Sequence, residues 1–184
     1  MPAKKQITKE MILSTAMELL RSGGIEEVSI KALAKKLGCS TQPVYLSFDS
    51  MDALRAELGP MAVDFFLRDI KADSGAEAKL SGMGYIQFAQ REPALFRFLF
   101  MRSHAFTELK AALTPITDRS ITRLMEKYQL DREIAHFLHD QLWMHSHGIA
   151  SMIATGFCTW DMHKVARMLS ECEEVFMQKY GGDQ

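Results

Sequence analysis

The chain has 184 residues, of which 47% are hydrophobic and 24% are charged, and its formal net charge is −1. This composition is typical of a soluble chain that buries a real core, as one domain or as a small module joined to a larger one. No apolar run is long enough to span a bilayer, and residues 1–6 lack the apolar stretch of a secretory signal. We therefore expect no membrane partner.

Charge is distributed unevenly along the chain. Residues 1–55 carry eight Lys or Arg and six Asp or Glu, whereas the rest carries fourteen and seventeen. A basic N-terminal part on a more acidic body is the pattern expected of a nucleic-acid-binding module. The asymmetry is too weak to decide the function alone.

The cysteines indicate a reducing environment. Cys39, Cys158 and Cys172 lie far apart, with no CxxC spacing and no even count. Free thiols in a cytoplasmic protein are the simple interpretation. Redox sensing through one of them is the alternative to a role as small, buried hydrophobic side chains.

Helical spacing dominates the first third of the chain, and no segment alternates with period two for long. A first helix over residues 7–21 should stop at Gly23-Gly24, because glycine adopts the left-handed conformation that closes helices. A second helix should begin after Ser29, whose side chain can cap it, and end at Gly38. A third should cover residues 41–47, and Asp49-Ser50 should cap a fourth.

Two short helices joined by the turn 38–40 and braced by a preceding helix predict a helix-turn-helix unit. Apolar side chains would hold the unit together: Leu33, Ala34, Leu37, Val44 and Phe48. The outer face of the third helix would present side chains suited to base edges and phosphates: Ser40, Thr41, Gln42, Tyr45 and Leu46. By spacing alone, an ordinary helical hairpin remains the alternative.

Residues 7–58 resemble the tetracycline-repressor (TetR) family in order and spacing. The most specific matches are the run Ser29…Leu33-Ala34…Gly38-x-Ser40 and the ending Val44-Tyr45-x-x-Phe48. The resemblance implies that the third helix enters the major groove of DNA with Thr41, Gln42, Tyr45 and Leu46. It also implies phosphate contacts from Ser29 and Tyr45.

Two positions depart from the family pattern. Ser47 stands where the family usually has histidine or tyrosine, and Met51 stands where it often has a lysine that touches phosphate. Phosphate binding would then rely more on the lysines of this part of the chain: Lys4, Lys5, Lys31, Lys35 and Lys36. A solvated helix face is the alternative for each lysine.

The rest of the chain predicts a helical sensor. The fourth helix should run to about residue 70, with a kink or break at Gly59-Pro60 that is either a static feature or a joint for signalling. After it we expect a loop at 71–76, a helix at 77–91, a helix that begins at Pro93, and a helix at 108–128 that bends at Pro115. The segment 92–101 and Trp143…His147-Gly148 resemble the sensor of one TetR subgroup. The expected fold is therefore all-α with about nine helices, a DNA-binding domain at 1–55 and an effector-binding and dimerisation domain at 56–184.

The eighth predicted helix, residues 131–155, has two faces that we expect to be buried rather than exposed to solvent. One is an ordinary core stripe, and the opposite one carries side chains at helical spacing that we expect to meet a second subunit: His136, Asp140, Ala150 and Ala154. With the ninth helix at 162–180, through Met168 and Cys172, it would form the four-helix dimer interface that the family typically uses.

An effector pocket should lie among the fourth to eighth helices. Its candidate wall residues are Phe66, Tyr85, Phe88, Phe100, Met101, Phe106, Trp143 and His147, each of which would also suit a plain core. The chain has 13 methionines and 11 phenylalanines, which adapt to irregular ligands and equally fill a core. The effector itself has no signature in the sequence.

Other classes of protein have weaker support. His136, His139 and Asp140 have i, i+3, i+4 spacing, but no cysteine stands at ligand spacing, so we expect no metal and no cofactor. The sequence has no recognisable pair of nucleophile and base and no phosphate-binding glycine loop, so no motif indicates an enzyme.

The favoured function is a homodimeric repressor released from double-stranded DNA by a small molecule. The alternative is a helical interaction or ligand-binding module of the same fold that has lost specific DNA binding.

Overall fold

A computed structural model of the chain describes residues 6–72, 82–102 and 107–180, so Lys4, Lys5 and Phe106 lie outside the described residues. The described part is all-helical, as expected, and contains no strand. Its α-helices are α1 (Lys9–Gly23), α2 (Ile30–Leu37), α3 (Gln42–Ser47), α4 (Met51–Ala72), α5 (Gly82–Arg91), α6 (Pro93–Phe100), α7 (Thr107–Tyr128), α8 (Arg132–Ala154) and α9 (Met162–Tyr180). Within these ranges, no helix combines the length and the hydropathy that crossing a membrane requires.

Caps and glycines determine where the first helices begin and end. The Ser29 hydroxyl accepts from the Ala32 N–H at 3.3 Å, as expected of an N-cap. Gly24 and Gly38 close α1 and α2 with φ values of 99° and 67°, which other residues adopt only with strain. A short 3₁₀ helix, Ile25–Glu27, follows Gly24 and is absent from the sequence prediction.

One apolar cluster joins the helix-turn-helix unit to α1. Leu33 of α2, Val44 of α3 and Phe48 after it are buried together with Ile12 and Leu20 of α1. Burying each of these side chains contributes about 1.5–3 kcal/mol. Helix α3 is therefore held by the core on one side, and its other side faces solvent.

Helix α4 runs continuously through Pro60, so the break that was one of the two expectations at Gly59-Pro60 does not occur. Leu54, Leu58 and Phe66 form a buried stripe on both sides of the proline and hold the helix on the core. Pro60 itself is exposed, so the carbonyl that it leaves without an N–H partner can bind water. The helix also extends to Ala72, into the loop expected at 71–76.

The part of the molecule that follows the helix-turn-helix unit is built around α8, which packs against α5, α7 and α9. Helix α6 lies between this body and α1. Its Arg97 Nη1 donates to the carbonyl of Ala154 at 2.5 Å, at the carboxyl end of α8. Glu92, which precedes α6, meets Arg21 of α1. Helix α6 thus connects α8 to α1, the helix that braces the helix-turn-helix unit.

Candidate functional site

Helix α3 presents a face of polar and apolar side chains that none of the described residues covers. Pro43 lies in its first turn, where a missing N–H costs nothing, and Val44 anchors it to the core. Tyr45 is 62% and Leu46 is 79% exposed. The other side chains predicted for this surface, Ser40, Thr41 and Gln42, are exposed beside them. The structure therefore brings together all five side chains expected on the outer face.

Ser47, one of the departures from the family pattern, has a local structural role. Its hydroxyl donates to the Pro43 carbonyl at 2.9 Å, inside α3. The side chain thus stays with its own helix, which explains how a short residue is accommodated at this position.

The described lysines of this unit divide into two groups. Lys36 pairs with Glu18 at 2.9 Å, and Lys9 pairs with Glu57 at 2.6 Å, so both lie in ion pairs within the chain. Lys31 and Lys35 are exposed on α2. Among the lysines named from the sequence, Lys36 is accordingly the weaker candidate for a phosphate contact.

A cavity of about 340 Å³ opens among α4, α5, α7, α8 and α9, next to the end of α6. Four of the predicted wall residues, Phe66, Tyr85, Phe100 and Trp143, line it. Phe66 and Phe100 meet edge to face with ring centroids 5.1 Å apart, and Tyr85 and Phe100 do so at 5.0 Å. Aromatic side chains from three helices therefore form one wall.

Three other residues named for the wall do not line the cavity. Phe88 is fully buried behind it, 4.9 Å from the Phe66 ring, because its helix turns it into the core. Met101 follows the end of α6 and is 42% exposed. His147 lies behind the wall, with its ring stacked on Trp143 at 5.4 Å. Phe106 lies outside the described residues.

A hydrogen bond behind this wall joins α5 to α8. Tyr85 Oη and His147 Nδ1 are 2.8 Å apart. Burial raises the pKa of the Tyr85 hydroxyl and lowers the pKa of the His147 imidazole, so both groups are neutral near pH 7. The tautomer of the imidazole sets which group donates, and in either case the bond fixes the orientation of Tyr85 in the cavity.

The opposite end of the cavity is charged. Arg123, Lys127, His139 and Glu173 line it, and Lys127 Nζ donates to Glu173 Oε1 at 2.8 Å. Glu173 also accepts from Tyr128 Oη at 2.5 Å. Burial by itself would raise the pKa of Glu173, but the hydrogen bonds from Lys127 and Tyr128 and the charge of Lys127 hold the pKa below its usual range.

Sequence reasoning missed this charged end because no motif marks it. The available signal was a stripe along α7 at i, i+3, i+7, i+10 and i+14, formed by Leu113, Ile116, Ser120, Arg123 and Lys127. Polar residues on a stripe that begins as a core face indicate a cavity there.

Two family models match the chain. Residues 12–58 match the model described as "Bacterial regulatory proteins, tetR family". Residues 80–172 match the model described as "Tetracyclin repressor-like, C-terminal domain". The chain belongs to the TetR family. It is a transcriptional regulator with an N-terminal helix-turn-helix DNA-binding domain.

Individual relatives agree with this assignment. The chain is 31% identical over 104 residues to an uncharacterized HTH-type transcriptional regulator, YobS, of Bacillus subtilis (strain 168), and the match spans 53% of this chain and 54% of that protein. A solved structure of a TetR family protein from Vibrio parahaemolyticus has a TM-score of 0.59 at 18% identity, covering 90% of this chain and 96% of that one. At this identity the second likeness shows the fold alone.

An ion pair between Arg21 of α1 and Glu92 joins the helix-turn-helix domain of this TetR-family chain to the start of α6. Arg21 Nε donates to Glu92 Oε2 at 2.9 Å, and Arg21 Nη2 donates to Glu92 Oε1. The Glu92 side chain is only 13% exposed, and the Arg21 guanidinium also stacks over the Phe65 ring of α4 at 4.4 Å. Such a bidentate pair is stronger and more directional than a single hydrogen bond.

The structure corrects part of the predicted TetR dimer surface. Ala150 and Ala154 are 0% and 2% exposed and belong to the core of their own chain. They cannot face a second subunit, because they are covered within their own chain, where α5 and α6 pack against α8. His136 and Asp140 are exposed and form a 3.3 Å pair with each other.

An apolar surface lies instead along α8 and α9. Phe137 and Met144 are 44% and 50% exposed, and Val175 is 63% exposed. Met168 and Cys172, both named from the sequence, lie half-buried on the same side of α9 as Val175. We call these residues, with Gly148, the α8–α9 face. A Cβ at Gly148 would meet nothing within 4 Å, so a second helix can approach closely there.

Cys172 is the one of the three cysteines that belongs to the α8–α9 face. All three are free and half-buried. Burial, with a smaller effect of Glu173, raises the pKa of the Cys172 thiol, which lowers its thiolate fraction and reactivity.

Proposed function

We propose that this protein is a repressor that binds a pseudo-palindromic operator in double-stranded DNA as a homodimer and leaves it when a small molecule occupies the cavity. The observation that carries the proposal is the uncovered face of α3, where two large side chains, Tyr45 and Leu46, remain more than half exposed. Exposed apolar surface of this kind marks a binding surface. The protein would act in the cytoplasm, where its operator lies.

The chemistry of α3 suits the major groove. The Gln42 amide can donate to and accept from one adenine, and Leu46 can contact a thymine methyl group. Tyr45, Ser40 and Thr41 carry hydroxyls that can reach phosphate oxygens. These assignments make Gln42 and Leu46 the readers of sequence.

Phosphate contacts would come from the neighbouring elements. Lys31 and Lys35 are exposed on α2, and Ser29 lies at its N-terminus, where N–H groups favour anions. Lys4 and Lys5 would add cationic contacts from the N-terminal segment. These contacts position the protein without selecting a sequence.

The α8–α9 face supports the homodimer. Two copies related by a two-fold axis would bury Phe137, Met144 and Val175 against each other, and Gly148 would allow close helix approach. Residues 56–184 would then form the sensing and dimerising unit, and residues 1–55 would form the DNA-binding unit.

Release of the operator by an effector follows from thermodynamic linkage between the two binding sites. A molecule that fills the cavity better in the DNA-incompetent state lowers operator affinity, and DNA lowers effector affinity by the same factor. Helix α6 is placed to connect the two sites, since Phe100 lines the cavity and Glu92 binds Arg21.

Substitutions on α3 test the proposal. Gln42→Ala should weaken binding to the DNA upstream of the protein's own gene by about 1–3 kcal/mol, because a bidentate base contact is lost. Tyr45→Ala should weaken binding to operator and to unrelated DNA alike, since a phosphate contact is blind to sequence. Fluorescence anisotropy at matched salt measures both effects.

Gln90→Ala provides the matched control, because Gln90 is exposed on α5, within the sensor. It should bind DNA like the unaltered protein. If Gln42→Ala and Tyr45→Ala also bind DNA like the unaltered protein, α3 is not the reading helix.

A further inference from the structure

Three aromatic rings meet edge to face at the end of the cavity that lies opposite its charged end. Phe66, Tyr85 and Phe100 line the cavity, and their ring centroids lie 5.0–6.4 Å apart with interplanar angles of 76–87°. An aromatic ring has a negative face and a positive edge. Rings set at such steep angles to one another therefore offer a ligand both faces and edges.

A second layer of rings holds this wall in place. Phe88 lies 4.9 Å from Phe66, and Phe96 lies 5.2 Å from Tyr85 and 5.0 Å from Phe100. Both Phe88 and Phe96 are fully buried. Close packing of this kind leaves the first layer little freedom to collapse into the cavity. A ligand thus meets a preformed wall, which reduces the entropic cost of ordering side chains on binding.

Trp143 extends the wall onto α8. Its ring is stacked on His147 at 5.4 Å with an interplanar angle of 21°, and the His147 ring lies 6.1 Å from that of Tyr85. The hydrogen bond between Tyr85 Oη and His147 Nδ1 fixes the imidazole behind the indole. Trp143 nevertheless lines the cavity and is 48% exposed. The part of the indole that His147 leaves uncovered is therefore open to a ligand.

We propose that the cavity takes a flat aromatic compound that stacks on Trp143 and meets the cluster of Phe66, Tyr85 and Phe100 edge to face. The proposal rests on the proposed function only in naming this compound as the effector. Contacts between aromatic rings add to the free energy of burying the same area, because the ring quadrupoles attract each other. The volume of about 340 Å³ lies near the lower end of small-molecule pockets, which are about 300–1,000 Å³, so the compound is small.

Two probes with one carbon skeleton test the preference for an aromatic ligand. The full chain is titrated by calorimetry with 2-naphthol and with decahydro-2-naphthol, which is saturated and not flat. Both probes are uncharged near pH 7, so the charged end of the cavity does not distinguish them. The aromatic probe should bind about 5-fold or more tightly, because only its rings stack. Equal affinities, tighter binding of the saturated probe, or no binding of 2-naphthol would overturn the proposal.

Substitution of Trp143 locates the stacking. Trp143→Leu should weaken binding of 2-naphthol about 3-fold or more and leave binding of the saturated probe nearly unchanged, because leucine keeps an apolar surface without a ring. Trp160→Leu is the matched control, because Trp160 is the other of the chain's two tryptophans and is not one of the described residues that line the cavity. Equal losses in the two variants, or no loss in Trp143→Leu, would contradict the placement.

Ring-current shifts detect the stacking without relying on affinity. In nitrogen-15-labelled protein the two tryptophans give two indole N–H resonances, which Trp160→Phe assigns. The Trp143 resonance should move upfield when 2-naphthol binds, since a stacked ring shields the groups above its face, and should move far less with the saturated probe. The Trp160 resonance should stay in place. An unmoved Trp143 resonance at saturating 2-naphthol would rule out the stack.

DNA release separates this inference from the proposed function. Anisotropy of labelled upstream DNA is measured with each probe. If 2-naphthol binds in calorimetry and shifts the Trp143 resonance but leaves DNA affinity unchanged, the chemistry of the cavity stands and the effector role fails. If the saturated probe releases DNA and 2-naphthol does not, the effector role stands and the flat aromatic compound is the wrong class.

Discussion

Val175→Arg should convert the protein to a monomer and nearly abolish operator binding. Val175 is 63% exposed in the single chain and lies on the α8–α9 face, where a second copy would bury it. An unpaired charge buried there costs about 3–5 kcal/mol, and the two-fold axis introduces it twice. Losing the dimer also loses the second half-site contact, which lowers DNA affinity by about 10²–10⁴-fold. Sedimentation velocity and anisotropy measure the two effects.

Two controls make this result specific. Met144→Arg, on the facing helix α8, should act in the same way, because Met144 is 50% exposed on the same surface. Ser170→Arg lies on the exposed opposite side of α9 and should leave the dimer intact. The melting temperature of the monomeric variants shows whether the protomer still folds. An unaltered dimer in both Val175→Arg and Met144→Arg would exclude this face.

Glu92→Gln should remove most of the effect of a bound effector on DNA affinity. Helix α6 touches the cavity at Phe100 and holds α1 through the two bonds from Arg21 to Glu92. Without the carboxylate charge, the bidentate pair is lost and α6 can move without moving α1. The coupling free energy between effector binding and DNA binding is usually about 1–3 kcal/mol, so an effector changes DNA affinity by about 5–150-fold. In Glu92→Gln the effector should change DNA affinity by less than about 2-fold. Anisotropy titrations with and without a releasing ligand measure it.

Asp69→Asn is the matched control for the loss of this ion pair. Asp69 pairs with Arg91 at 2.6 Å between α4 and α5, both outside the helix-turn-helix unit, so coupling should survive its loss. Pro60→Ala tests the competing route along α4. If coupling persists in Glu92→Gln and disappears in Pro60→Ala, the signal travels through α4 instead of α6.

The sequence predicted local features well because they depend on neighbouring residues. Ser29 as a cap and Gly38 as a helix end were both confirmed, since capping needs only a side chain and the next turn. The prediction of a break in the helix at Gly59-Pro60 was wrong because of tertiary packing. Pro60 faces solvent while Leu54, Leu58 and Phe66 hold the helix on the core, and sequence spacing did not show which side would be covered.

Faces of long helices were harder to predict. The small side chains of Ala150 and Ala154 suit either a core or a helix–helix interface between subunits. In the structure they lie in the core, because α5 and α6 pack against α8. The charged end of the cavity joins α7, α8 and α9. The Arg21–Glu92 pair likewise joins residues 71 positions apart. Single-sequence patterns carry no signal for such long-range pairings.

Selection of binding sites from random-sequence DNA tests the central claim most directly. The purified chain is incubated with the library, and bound DNA is amplified over successive rounds. The account predicts enrichment of an inverted repeat whose half-sites lie about one duplex turn apart or slightly more, because two copies of α3 must enter successive major grooves. Gln42→Ala should relax the base preference at one position in each half-site. Recovery of no common sequence, or of a single unrepeated motif, would contradict the account of a homodimeric, sequence-specific regulator.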